Sequence, residues 1–183
     1  MKFYYTIFTL FLATYSFSQN SLKNYHYGSY TTKEGEVING YIKDLGLTAM
    51  SHSIKYKKGD ASGPKWFSWN EIRSYRFKGL TFVSIGSKGC FMQQVTYGQL
   101  SLYRKFYTPG TIDAPSPETF RYYLRLKGQS MLKVKENNFR KKGSAYLSSY
   151  SELQKKILNK ELRLKNIQSV VNQYNKWSSE QKG

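Results

Sequence analysis

The side chains able to do covalent or metal chemistry are few in this chain, and their spacing argues against such chemistry. His26 and His52 are the only two histidines and Cys90 the single cysteine among 183 residues. Each histidine falls in a strand-like pattern without an acidic or Cys partner at ligand spacing, so neither a transition-metal site nor a nucleophile–base pair is expected. No glycine is followed by Lys-Ser or Lys-Thr after a strand, which removes the phosphate cradle of nucleotide enzymes. A paired-carboxylate hydrolase would have to draw on Glu34, Glu36, Asp44, Asp60, Glu71, Asp113 and a few others. Most of these sit in turns and connections, where solvated roles are usual. No catalytic residue, metal or cofactor is expected.

Recognition chemistry has more to work with. Lys plus Arg number 29 against 11 acidic residues, a formal charge of +18. Such a field attracts polyanions, or simply keeps a protein soluble and self-repelling. Arg121 and Arg125 alternate with Tyr and Leu along one strand-like stretch, and Lys133 and Lys135 lie on the next. Like charges facing across a strand pair either guard an edge against sheet pairing or receive a bound anion. Arg104, set opposite Gln93 on an apolar face, either snorkels to a nearby polar partner or forms a shallow anion site. Trp66 and Trp69 stand in a dense aromatic knot, as a sugar-stacking platform or as core.

The elements that position these residues begin with the stretch 91–107. Folded about Gly98-Gln99 as a two-residue II′ turn, it sets Val95 opposite Leu102, Gln93 opposite Arg104 and Phe91 opposite Phe106. A second hairpin is expected about Glu34-Gly35, setting Thr31 opposite Ile38 and Tyr27 opposite Ile42. Gly28 and Gly40 inside its strands mark bends or close backbone approach. A third, through Gly128-Gln129-Ser130, sets Leu126 opposite Leu132, Leu124 opposite Val134, Arg125 opposite Lys133 and Tyr123 opposite Lys135. From Asn138 the period changes from two to 3.6. Phe139, Tyr146, Leu147 and Tyr150 share one helical face. Ser151 with Gln154 makes a capping box for a second helix, and Ile167, Val170, Val171, Tyr174 and Trp177 align on a third. The expected fold class is α+β: an antiparallel sheet, a meander open or curled into a partial barrel, followed by two to three C-terminal helices. Residues 19–136 would form the β domain and 137–183 the helical segment packed on it.

The first eighteen residues read as a signal peptide. Lys2 precedes an apolar run over residues 3–14 that is too short to span a bilayer, which takes ~20 residues. Ser16-Phe17-Ser18 then offers small residues for cleavage after Ser18. The protein is therefore expected to be exported, to the periplasm, the cell surface or the medium, with no transmembrane segment after cleavage. Basic strands carrying Tyr suit nucleic acid, but export makes nucleic acid an unexpected partner. Cys90 reads as a buried thiol.

Several pieces together resemble a family of uncharacterised exported proteins from Bacteroidetes-type bacteria. They are the Ser-Phe-Ser-Gln ending of the signal peptide and Gly35 with Asn39-Gly40-Tyr41-Ile42-Lys43. Gly98-Gln99-Leu100-Ser101-Leu102-Tyr103 is the next piece. The tail contributes Asn138-Phe139-Arg140-Lys141-Lys142, Ser151-Glu152-Leu153, Val170-Val171 and Tyr174-Asn175. Relatives often carry a Cys before the Glu-Leu pair and another near the chain end, where this chain has Tyr150 and about Ser178. The resemblance thus implies a member lacking that pair, with Tyr150 and Trp177 packing instead. It implies fold and export and brings no activity. The resulting expectation is a non-enzymatic binding or structural module of the bacterial envelope, its partner an envelope protein or an anionic polysaccharide. An envelope glycan hydrolase and a membrane-surface protein are the alternatives.

Overall fold

The computed structural model describes residues 22–109 and 117–181. The expected signal peptide and its cleavage after Ser18 lie outside the described residues. Ten strands form one sheet: β1 (Tyr25–Thr32), β2 (Val37–Lys43), β3 (Ser53–Lys57), β4 (Lys65–Ser68), β5 (Ile72–Phe77), β6 (Leu80–Ile85), β7 (Cys90–Thr96), β8 (Leu100–Tyr107), β9 (Thr119–Leu126) and β10 (Leu132–Val134). All pairs are antiparallel, in the order β10-β9-β8-β7-β6-β5-β1-β2-β3-β4. The sheet is thus two meanders, β1–β4 and β5–β10, joined where β1 lies against β5. It is not closed.

Chain connectivity forces it to roll. β4 and β5 are separated by residues 69–71 alone. Four Cα steps reach at most ~15 Å, whereas four strand spacings in a flat sheet amount to ~19 Å. The β1–β4 section therefore curls back toward β5. Rings three strands apart accordingly touch, with Tyr30 of β1 4.5 Å from Phe67 of β4. Inside the roll lie Ile42, Ile54, Tyr75, Phe82 and Phe91, all fully buried, with Met50 from the helical turn α1 (Leu47–Met50). The Tyr75 hydroxyl is satisfied there by donating to the Met50 carbonyl at 2.9 Å.

The inner face of β8–β10 is covered by the C-terminal helices. The sequence suggested two to three; four α-helices form. Two are single turns, α2 (Glu136–Asn138) and α3 (Ser144–Tyr146), flanking a π turn at Phe139–Gly143. Next come α4 (Ser151–Leu158) and, after a 3₁₀ turn at Leu164–Asn166, α5 (Ile167–Glu180). Leu100, Leu102, Leu124, Leu126 and Val134 of the sheet pack against Leu147, Leu153, Ile157, Val170, Val171 and Tyr174. The Ser151–Gln154 capping box does not form: Tyr150 is the N-cap, with no side-chain cap bond. The packing expected of Tyr150 and Trp177 is present, their rings stacked at 4.8 Å and 7°.

Each hairpin departs from its expected register for a physical reason. At the first, Thr32 pairs with Glu36 through its backbone, and Gly35 supplies a φ of 102° for a three-residue loop. Pairing moves by one residue, to Tyr30↔Ile38 and His26↔Ile42. In the central hairpin Gln93↔Arg104 and Gln94↔Tyr103 stand, but a bulge at Val95 shifts the tip to Thr96↔Leu102. At its other end Phe91 does not pair with Phe106. Its N–H goes instead to the Ser51 carbonyl at 2.7 Å, beside α1. In the third hairpin the pairs are Leu132↔Leu124, Lys133↔Tyr123 and Val134↔Tyr122, two residues from expectation. The Tyr146 hydroxyl explains this shift: it accepts from the Leu126 N–H at 2.9 Å and donates to the Ser130 carbonyl at 2.7 Å. A helix side chain thus occupies the position where the ladder would have continued. Because that shift is even, the same residues keep the same faces.

Candidate anion-binding face

The outer face of β6–β9 carries a small buried cluster of Ile85, Cys90, Met92, Tyr103 and Tyr123. Register sets Tyr103 opposite Tyr123 and Tyr123 opposite Lys133, with Lys105 opposite Arg121 in the neighbouring row. Partners in such a pair hold their Cβ atoms about 5 Å apart, so Lys105 and Arg121 are like charges side by side. Lys88, closing the turn Gly86–Lys88, lies near enough for its charge to be felt at Lys133. The electrostatic consequence is visible at Lys133. Its ammonium is pushed below the usual lysine range, first by burial and then by the charges of Arg121, Lys135, Lys105 and Lys88. All four neighbours act in the same sense. The ion pairs Lys78–Asp44 and Lys156–Glu152 lie elsewhere, and none of these cations forms an ion pair among the described residues. Arg121 lays its guanidinium 4.0 Å from the centre of the Tyr107 ring, which orients it without neutralising it.

The structure therefore brings Arg121, Lys133 and Lys135 together. It adds Lys88 and Lys105, which sequence reasoning missed. Arg125 stands opposite Ser101, one row removed from Lys133 rather than across from it. No family model, curated protein or solved structure matches the chain. The chemistry of the face must speak for itself.

Arg104 is on the other side of the sheet. It shares the inner face with Leu102 and Phe106, and its guanidinium packs 4.7 Å from the Phe120 ring centre and 5.5 Å from that of Tyr122. One amino group reaches the Tyr122 hydroxyl at 3.4 Å, and the Nε is buried without a hydrogen-bond partner. An unpaired buried donor costs about 1–3 kcal/mol, and two cation–π contacts return a similar amount. Arg104→Leu should then leave stability within about 1 kcal/mol of the parent or raise it, read from the urea midpoint. A loss well above that would mean the guanidinium has a strong partner.

Trp66 and Trp69 do not form one surface. Trp66 projects from the outside of β4 with 55% of its area exposed, beside the Lys55 ammonium, while Trp69 packs against the rolled core. Cys90 is buried and free, and burial raises its thiol pKa against the opposing pull of Lys105 and Lys88. A thiol so held is protonated at neutral pH and a poor nucleophile. His26 and His52 are both exposed, and no group of three or more His, Cys, Asp or Glu converges among the described residues.

Proposed function

We propose that this chain is an exported, non-enzymatic binding module of the bacterial envelope whose outer sheet face takes anionic polymer. One observation carries the reading: Lys105 stands opposite Arg121, and Lys88, Lys133 and Lys135 lie close enough to act on one another, with no carboxylate among them. Crowding that depresses a lysine's affinity for its proton is relieved when an anion enters. An open face with several cations side by side suits a chain of repeated anionic units better than one small molecule. The family resemblance supports the exported setting. Two of its separate pieces meet in the fold, Gly98 lying against the side chain of Asn175.

Retention of the mature protein on an immobilised carboxylated glycan tests the reading. Binding should weaken linearly in log salt. The triple variant Lys88→Gln, Lys105→Gln, Lys133→Gln should elute at much lower salt than a control neutralising the exposed helix lysines Lys155, Lys165 and Lys176. Equal losses in the two variants, or no retention at low ionic strength, would reject the face as the site.

A further inference from the structure

β9 is longer than the strand that edges it. β10 pairs Tyr122, Tyr123 and Leu124, so residues 119–121 have β8 on one side and no strand on the other among the described residues. The Lys127 N–H turns to β8 and the Leu126 N–H away from it, so by alternation Phe120 is the one of the three whose N–H and C=O face the open side. A groove of about 400 Å³ follows this vacancy, with Phe120, Tyr122, Val134 and Leu164 as its apolar lining and Arg121 and Lys135 as its charges. Leu164 also lines a second groove of about 370 Å³, where Phe139, Ile157 and Leu162 meet Arg140, Lys160 and Arg163. Glu136 is the one carboxylate lining either. Arg104, unpaired at Nε, packs on the same Phe120 and Tyr122 rings and adds its charge to that wall.

We propose that this edge binds an extended acidic segment of a partner protein, added to the sheet as a strand beside β9. Strand addition supplies the backbone hydrogen bonds that Phe120 lacks, and alternate side chains of the guest fall on the apolar lining. The guest's carboxylates meet Arg121, Lys135, Arg140, Lys160 and Arg163. A second copy of this chain is a poor occupant, since two bodies of formal charge +18 repel one another. A glycan uses neither the backbone vacancy nor the aromatic wall's spacing along a strand. The site shares Arg121 and Lys135 with the outer face, while its other charges are Arg104 on the inner side of β8 and Arg140, Lys160 and Arg163 on the helical segment, so the two sites can be separated by variants.

The probe is a labelled ten-residue peptide alternating Glu with Val and Phe, followed by fluorescence anisotropy. Its comparator has Pro in place of every Val and Phe, keeping the charge and removing those N–H donors. The alternating peptide should bind the full mature protein at least tenfold more tightly, and amide exchange at Phe120, the amide facing the open edge, should slow at least tenfold when it is bound. The variant Lys135→Glu, Arg140→Glu, Arg163→Glu, checked for an unchanged urea midpoint, should lose at least tenfold in affinity. The Lys88, Lys105, Lys133 triple Gln variant should keep it. Equal binding of both peptides, unchanged exchange at Phe120, or no binding at low ionic strength each overturns the proposal. Loss in the outer-face variant alone would assign the peptide to that face instead.

Discussion

Gly40→Ala destabilises the protein by about 3 kcal/mol or more, and Gly28→Ala by a comparable amount. These two glycines are cross-strand partners, Gly28 of β1 opposite Gly40 of β2. A Cβ on Gly40 would lie 2.5 Å from the Lys57 carbonyl oxygen and closer still to the Tyr56 hydroxyl. One on Gly28 would run into the Arg76 carbonyl oxygen. At each glycine one of the obstructing atoms is a backbone carbonyl oxygen of a neighbouring strand, β3 or β5, which cannot swing aside as a side-chain end can. Tyr56 is itself anchored, donating to the Asn39 carbonyl at 2.7 Å. The glycine pair is thus where the rolled section has no room for side chains on its inner surface. Gly63→Ala is the control: nothing lies within 4 Å of a Cβ built there, and its midpoint should move by no more than about 0.5 kcal/mol. A Gly40→Ala variant as stable as the Gly63→Ala variant would show that the roll opens without cost.

Close approach at Gly28 and Gly40 was legible in the sequence because glycine inside a strand has few other uses. The placement of Gln93 opposite Arg104 was legible too, since both residues lie near enough to one turn for alternation to fix their register. Alternation also told Leu124, Leu126, Leu132 and Val134 apart from Arg121, Arg125 and Lys133. Legibility failed wherever a distant group entered a local pairing. The Tyr146 hydroxyl opens the last hairpin from twenty residues away in sequence, and Ser51, just past α1, takes the Phe91 N–H that a simple hairpin would give to β8. The pairing of β1 with β5 follows from the short link between β4 and β5, which becomes informative only once β1–β4 are known to pair in order. The candidate face was half legible for the same reason. Arg121, Lys133 and Lys135 stand on one local hairpin. Lys105 joins them through the β8–β9 register, across a proline-containing connection that hides it.

Asn175→Ala should cost about 2–3 kcal/mol, an unusually large loss for a partly exposed polar residue. The Asn175 amide of α5 closes on the backbone of Leu100: its oxygen accepts the Leu100 N–H at 2.8 Å and its nitrogen donates to the Leu100 carbonyl at 2.9 Å. Leu100 is fully buried, so truncation strands two main-chain groups that water reaches poorly. Gly98 is part of the same device. Its φ is not in the left-handed region, so the II′ turn expected there does not form. Glycine is needed for space, since the three atoms nearest a Cβ built on it all belong to Asn175, at 2.7–2.8 Å. Gly98→Ala alone should therefore cost about 1–2 kcal/mol by displacing the amide, and close to nothing once Asn175 is already Ala. Urea unfolding of the two single variants and the double variant measures this coupling. Additive costs would mean that Gly98 answers to something other than Asn175. Strong coupling would show that α5 is clamped to the hairpin tip as well as packed through Val170, Val171 and Tyr174. The clamp has a functional corollary, because the turn at Leu164–Asn166 leads directly into α5. If α5 is held in place by Asn175, releasing it should loosen the Leu164 wall as well, and Asn175→Ala should weaken the acidic peptide at β9 while leaving glycan retention on the outer face unchanged.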